Sequence, residues 1–211
     1  MFRDRIEAGL QLAEKLRKYQ GHQGVILAVP KGGVPVAYAV AKELGFPLEV
    51  ILTKKIGHPM NKEYAIGAVS LTDEFIIPHE GVSSEYIASE IETIRKKLKE
   101  MYQRFMGDKK PENLGGKTVI VVDDGIATGN TLLATVNMLK KQEPSKIVIA
   151  VPVASINAVR KLSKVVDDVV AVLVPEVFHG VGAFYEDFEP VTNEEVIYYL
   201  ERLSKEMKQT G

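Results

Sequence analysis

Four near-continuous apolar runs constrain this chain most: VILAV at 25–29, TVIVV at 118–122, KIVIAVPV at 146–153 and DVVAVLV at 168–174. Each has strand length, is rich in β-branched residues and lacks the in–out alternation of a half-exposed sheet. Strands buried on both faces read this way, and they occur where helices cover both sides of a parallel sheet. LEVILT, 48–53, adds a fifth candidate strand.

Helical spacing between the runs predicts the covering layers. Ile6, Leu10, Ala13 and Leu16 form a stripe over 4–18, with Leu12 beside it. VPVAYAVAKEL, 34–44, predicts a helix with Pro35 in its first turn and Gly45 at its stop. A long Glu- and Lys-rich helix is expected over 84–106, with further helices over 129–141, 155–163 and 193–205. Thr192 and Asn193 are capping candidates for the last. KKIGHPMNKEY, 54–64, reads as a charged loop, AIGAVSL and EFIIP as short strands, and 107–117 as a loop. The alternation predicts an α/β fold with a mostly parallel sheet and right-handed crossovers.

At 211 residues the chain is expected to form a single domain, 1–211. Its core would span about 20–175, with a mobile loop region at about 54–117 and a small hood at about 175–191 to which the N-terminal segment contributes. Lys and Arg total 27 against 28 Asp and Glu, a net charge of -1. That balance gives no bulk attraction to nucleic acid or to a membrane surface. The chain has no cysteine, which excludes disulfides and thiolate chemistry. Without an apolar leader or a run of about 18 apolar residues, the expectation is a cytoplasmic protein with no membrane partner.

VIVVDDGIATGNTLL, 119–133, is the most informative stretch. Ligands of parallel α/β sheets bind beyond the carboxyl ends of the strands, and Asp123 and Asp124 stand at such an end. The turn after them leads into a helix, whose N-terminus suits an anion. Gly125 and Gly129 permit close backbone approach, and Thr128 and Thr131 add hydroxyl donors. Two acids beside an anion cradle make chemical sense if they accept hydrogen bonds from sugar hydroxyls, so a ribose 5-phosphate unit fits both halves. A plain strand-to-helix turn is the alternative reading. The stretch is neither a Walker A loop nor a GxGxxG fingerprint.

VIVVDDGIATGNT resembles the phosphoribosyl-diphosphate (PRPP) motif of type I phosphoribosyltransferases, and all thirteen residues fit. FRDRIEAG, VPKGGVPVA, KKIGHPMNKEYAIGAV and VGAFYEDFEPVTNEEV resemble a bacterial and archaeal branch of that family with unassigned acceptors. The resemblance covers about residues 1–205. It implies a type I phosphoribosyltransferase-like fold with a flexible loop region and a hood. It also implies ribose hydroxyls on Asp123 and Asp124, and the 5-phosphate within Gly125, Ile126, Ala127, Thr128, Gly129, Asn130 and Thr131.

AVPKGGVPV, 28–36, is a second strand-to-helix turn. Lys31 there could hold an anion or be a solvated loop lysine. The resemblance makes it the pyrophosphate loop, with contacts from Lys31, Gly32 and Gly33 and a non-proline cis bond at Pro30–Lys31. Lys54 and Lys55 close the 48–53 strand at the same sheet edge. Their position favours an anion role for at least one, with Lys55 preferred; losing such a contact costs about 2.7–4 kcal/mol of transition-state stabilisation. His58, Asn61 and Glu63 line the site or are ordinary loop polarity. His22 and His79 have no supporting pattern.

In VPEVFHGVGAFYEDF the aromatics Phe178, Phe184, Tyr185 and Phe188 read first as packing of a cap. The stretch is similar to the hood of hypoxanthine–guanine phosphoribosyltransferases, which implies Phe178 as the base-stacking residue and Asp187 as an acid near the pyrophosphate. Ala127 departs from the acid that 6-oxopurine enzymes carry at that place, which puts hypoxanthine and guanine in doubt.

The resemblance therefore implies transfer of a phosphoribosyl group from PRPP to a nitrogen nucleophile, a nucleobase or similar acceptor, with release of pyrophosphate. The expected catalytic residues are Asp123, Asp124 and Lys55. Mg²⁺ is the expected cofactor, held by substrate and water, with Asp123 and Asp124 reaching it through water if at all. A homodimer is expected, and the 84–117 region is a candidate lid. The alternative is a regulator that binds PRPP without catalysis; a non-PRPP nucleotide hydrolase or transferase that uses the same cradle ranks below it, because two adjacent acids suit a ribose diol.

Overall fold

A computed structural model describes residues 1–209. Residues 210 and 211, part of the expected 1–211 domain, lie outside the described residues. The chain runs α1 (Arg5–Leu16), β1 (Gly24–Ala28), α2 (Gly33–Leu44), β2 (Leu48–Val50), β3 (Lys54–His58), β4 (Asn61–Val69), β5 (Glu74–Ile76), α3 (Ser84–Met106), β6 (Thr118–Val122), α4 (Asn130–Lys140), β7 (Lys146–Val153), α5 (Ile156–Leu162), β8 (Asp168–Leu173) and α6 (Asn193–Gln209).

The strand pairs of the five-stranded sheet, β2-β1-β6-β7-β8, are all parallel. Successive side chains of a strand point to opposite faces, so each strand feeds two cores. Ile26, Ile120, Val148 and Val170 join residues of α1, α2, α3 and α6 on one face. Val25, Val119, Ile147 and Ile149 join α4 and α5 on the other. Both faces are dry, which is why these strands read as apolar runs without alternation. The α/β class and the parallel sheet expected from the sequence are what the structure has.

Two local readings need correction. The charged stretch 54–64 is not a loop: it forms β3 and the start of β4, an antiparallel hairpin completed by β5. Its charges face solvent while Ile56, Ile66 and Val69 are buried. Register shifts around Gly57 break the alternation that would have revealed the strands. In α1 the buried face is Ala8, Gly9, Leu12, Ala13 and Leu16, and Leu10 is exposed. Close packing on α2 sets that rotation, since a Cβ on Gly9 would lie 2.7 Å from the Val36 carbonyl oxygen. The region 54–117 carries this hairpin and α3, the latter over the 84–106 span expected from the sequence. Within it α3 buries Ile94, Leu98, Tyr102 and Phe105 in the core.

The terminal helix begins with a capping box. The Glu195 backbone N–H donates to Thr192 Oγ1 at 3.1 Å, and the Thr192 N–H donates back to Glu195 Oε2 at 2.8 Å. Ahead of it, the hood packs on the chain's first residues. Phe2, Tyr185, Phe178, Phe184 and Phe188 form a separate apolar cluster with Val153. The Phe2 N–H donates to the Phe184 carbonyl at 2.8 Å, and the Glu186 N–H donates to the Phe2 carbonyl at 2.8 Å.

Candidate active site

β1 and β6 are adjacent, parallel and in register from Gly24↔Thr118 to Ala28↔Val122, so both open at one sheet edge. Two strand-to-helix turns meet there. The Val29 N–H donates to the Val122 carbonyl at 2.8 Å and ties the turn after β1 to the turn after β6. The Pro30–Lys31 peptide is cis, as the resemblance implied.

The glycines of the first turn are required by the acids of the second. A Cβ on Gly32 would lie 2.0 Å from Asp124 Oδ2, and one on Gly33 would lie 2.7 Å from the Val122 carbonyl oxygen and 2.9 Å from Asp123 Cα. The 30–33 turn thus lies in van der Waals contact with the Asp123–Asp124 pair. Lys31 projects from it, exposed.

Asp123 Oδ1 accepts the Asp124 backbone N–H at 2.8 Å. Burial, reinforced by the neighbouring Asp124 charge, pushes the Asp123 carboxyl well above the ordinary carboxylate range. Burial also raises Asp124, opposed by the charge and hydrogen bond of Arg5. Arg5 Nε donates to Asp124 Oδ2 at 3.0 Å. Tyr185 Oη donates to the Asp124 carbonyl at 2.6 Å. Burial and the Asp124 charge raise the Tyr185 phenol, which keeps it a donor.

The second turn continues along the hood and into α4. Gly125 lies under Val181, whose Cγ1 would be 2.5 Å from a Cβ there. Ile126 is buried and bridges to Ala154. Ala127, Thr128, Asn130 and Thr131 surround a shallow cavity of about 160 Å³, lined by Asp123 and residues 125–132. Gly129 takes φ 71°, a left-handed conformation that places it as N-cap of α4 without a β-carbon clash. The backs of the turn are held from α5: Ser155 Oγ donates to the Ala127 carbonyl at 2.6 Å, and Lys161 Nζ donates to the Thr128 carbonyl at 3.1 Å and to Asn130 Oδ1 at 2.7 Å. Those carbonyls are engaged from the α5 side, and the cavity lies against the first residues of α4, a helix terminus that suits a phosphate.

The lysine pair stands on the hairpin. Lys54 and Lys55 open β3 rather than closing the strand before it. Lys55 Nζ pairs with Glu63 Oε2 at 2.8 Å, a contact that lowers the Glu63 carboxyl. Asn61 Oδ1 accepts the Glu63 backbone N–H at 3.1 Å. The rings of His58, Tyr64 and His79 meet one another at 5.1–6.2 Å near the hairpin tip. His22 lies edge-on to Tyr19.

In the hood, Phe178 stacks on Phe184 at 5.7 Å. Asp187 is exposed; its Oδ1 accepts the Glu189 backbone N–H at 3.2 Å, and its own N–H donates to the Arg3 carbonyl at 2.9 Å. A separate cavity of about 420 Å³ lies beside β2, lined by residues such as Glu49, Leu52, Leu71 and Met138, and none of the acid pair or glycine turns borders it. Among the described residues no group of three or more His, Cys, Asp or Glu is placed to hold a metal ion. The acid pair fits a hard cation that takes most of its ligands from substrate oxygens and water. No described helix is long and apolar enough to cross a membrane.

Sequence reasoning missed Arg5 and the two α5 donors, Ser155 and Lys161. Arg5 carried one legible signal. It is a cation in the first helical position, behind the Asp4 cap, where the helix dipole disfavours positive charge. Ser155 and Lys161 carried none, because their partners, two backbone carbonyls and the Asn130 side chain, lie about 30 residues away.

Comparison with known proteins agrees with this geometry. Residues 5–189 match the family model "Phosphoribosyl transferase domain". A predicted phosphoribosyl transferase of Mycobacterium tuberculosis is 33% identical over 216 residues, covering 100% of this chain and 49% of that protein. The chain thus spans about half the length of the curated relative it matches there. A uracil phosphoribosyltransferase of Mycoplasma genitalium is 27% identical over 138 residues, covering 64% of this chain and 60% of that protein. The crystal structure of TT1426 from Thermus thermophilus superposes with a TM-score of 0.86 at 38% identity, over 96% of this chain and 99% of that one. With the motif, the fold and the family match in agreement, the chain belongs to the type I phosphoribosyltransferase family.

Proposed function

We propose that this protein transfers a 5-phosphoribosyl group from PRPP to a nitrogen nucleophile and releases pyrophosphate. The observation that carries the reading is the contact between the two turns: Gly32 and Gly33 lie directly against Asp123 and Asp124. A glycine turn beside a lysine, an acid pair and a helix terminus then share one point at the sheet edge, which suits a pyrophosphate, a sugar diol and a phosphate in that order.

In this reading Asp123 and Asp124 accept hydrogen bonds from the 2′ and 3′ hydroxyls. The turn from Gly125 to Thr131 holds the 5-phosphate. Lys31 and the backbone of Gly32 and Gly33 take the pyrophosphate, and Lys55, leaving Glu63, adds a cation to it. The nitrogen nucleophile attacks C1 of the ribose as the bond from C1 to the pyrophosphate oxygen breaks, and the nucleophile then gives up its proton. Positioning and charge stabilisation do the work, since positive character develops at C1 and negative character on the leaving group. Mg²⁺, held by substrate oxygens and water beside the acid pair, would neutralise the diphosphate and orient it. The hood, with Phe178 and Asp187, is the acceptor side. The uracil acceptor in the name of the Mycoplasma relative adds pyrimidines to the bases worth testing. A homodimer in the cytoplasm completes the proposal, with light scattering as the check on assembly.

Calorimetric titration of Mg²⁺ and PRPP into the wild type and into Asp123→Asn/Asp124→Asn tests the reading. Binding by the wild type and its loss in the folded double variant are expected; no binding by folded wild type overturns it. Release of many equivalents of pyrophosphate per protein, in an acceptor screen, separates an enzyme from a PRPP-binding regulator.

A further inference from the structure

Arg5 is held by three separate parts of the fold. Its own backbone starts α1, behind the Asp4 side chain that accepts the Glu7 N–H at 2.8 Å. Its Nε meets Asp124 Oδ2 at 3.0 Å, with both side chains largely withdrawn from water at 11% and 16% exposure. Its Nη1 donates to the Glu189 carbonyl at 2.8 Å, and its guanidinium lies 4.0 Å over the Phe188 ring. The planar guanidinium suits this use, because one rigid fork can serve a carboxylate, a carbonyl and a ring face together.

The placement runs against local preference. A cation at the first position of a helix meets the positive end of the dipole, and such local conflicts concentrate at functional sites. What Arg5 obtains in exchange is a largely buried carboxylate that already has Asp123 as a like-charged neighbour. Without Arg5 that carboxylate would have no cation in contact among the interactions of the described residues. The hood also holds the Asp124 backbone, through the Tyr185 hydroxyl on its carbonyl.

We propose that Arg5 is the positioning residue of the sugar-binding acids. It fixes the Asp124 carboxylate against Gly32, and it joins that carboxylate to the hood through Phe188 and Glu189. The hood and the sugar site are thereby one mechanical unit, and a displaced hood misplaces the acid that receives the ribose. This inference rests on the ribose reading of Asp123 and Asp124 given above.

The test is a binding cycle with Mg²⁺ and PRPP, measured by calorimetry on wild type, Arg5→Gln, Asp124→Asn and the double variant. Arg5→Gln is expected to weaken binding about 10- to 100-fold, the scale seen when a group that orients a ligand-contacting residue is lost. In the Asp124→Asn background the same change should have little further effect, because Arg5 acts through Asp124. Arg5→Lys should recover part of the loss, since it restores the charge without the fork. Wild-type affinity in folded Arg5→Gln overturns the inference, and so does an equal loss in both backgrounds, which would mark Arg5 as a direct ligand contact or a general scaffold residue. If Arg5→Gln does not fold, Arg5→Lys carries the test: unchanged affinity overturns the strut, and weakened binding that vanishes as an effect in Asp124→Asn supports it. No binding by folded wild type would overturn the ribose reading itself, an outcome distinct from wild-type binding that Arg5→Gln leaves untouched.

Discussion

Asp124 occupies the space that a side chain at Gly32 would need: Oδ2 lies 2.0 Å from where that Cβ would be. The backbone of Gly32 has ordinary helical angles, φ -61° and ψ -32°. Its lack of a side chain is therefore a matter of space and not of dihedral freedom. Gly32→Ala is expected to push the carboxylate off its Arg5 contact, with a stability loss of about 1–3 kcal/mol, the usual cost of overpacking. Affinity for PRPP should fall with it. Denaturant unfolding and calorimetry on the same preparation check both; unchanged affinity in the folded variant would separate the two turns functionally.

Asp123 should trade stability for binding. Its carboxyl is raised by burial and by Asp124. A raised folded-state value means that the native state binds more protons than the unfolded one, between the ordinary carboxylate value and the raised one. Stability contributed by the protonated form is therefore full at low pH and is lost as pH rises through that window. Asp123→Asn cannot titrate, so it should be more stable than wild type at about pH 7.5, by on the order of 1 kcal/mol or about 2–4 °C in Tm. The difference should shrink as pH falls toward about 4, the ordinary carboxylate value, because the raised Asp123 carboxyl of the wild type has gained its proton by then. PRPP binding should weaken at neutral pH, and thermal scans at the two pH values test the sign.

Lys55 and Glu63 make a second, different trade. Their contact is exposed on both sides, so removing it should leave Tm within experimental error. Glu63→Gln should then lower the KM for PRPP by freeing the lysine, while Lys55→Ala should cost about 10²–10³ in kcat with the assay acceptor. If Lys55→Ala turns over as wild type does, the cation for the leaving group comes from Lys31 or Lys54.

Phe2 tests whether the hood depends on the chain's first residues. It is 1% exposed, lies 5.3 Å from the Tyr185 ring and exchanges backbone hydrogen bonds with the hood. Phe2→Ala should cost about 3–5 kcal/mol. Amide exchange should accelerate first in residues 181–189, ahead of the five-stranded sheet, and uniform acceleration would show that hood and sheet unfold together.

Where the physics is local or periodic, the amino-acid sequence by itself determined the outcome. The bounds of β6 and β7 and of α3 coincide with the expected 118–122, 146–153 and 84–106, because continuous apolar runs and a long amphipathic stretch leave few alternatives. The position of the Asp123–Asp124 turn followed from the strand before it and the helix after it. Tertiary structure decided the rest, for reasons the chain does not display in order. The 54–64 hairpin exists because antiparallel pairing satisfies its backbone while its charges stay in water, and local composition spoke only of the charges. The rotation of α1 that exposes Leu10 was set by contact with α2 at Gly9. Arg5 and Asp124 are 119 residues apart, and no periodicity links them. Only packing the first helix against α2 and the sheet brings that cation to that acid at the sheet edge, and the low exposure of both is what makes the pairing matter.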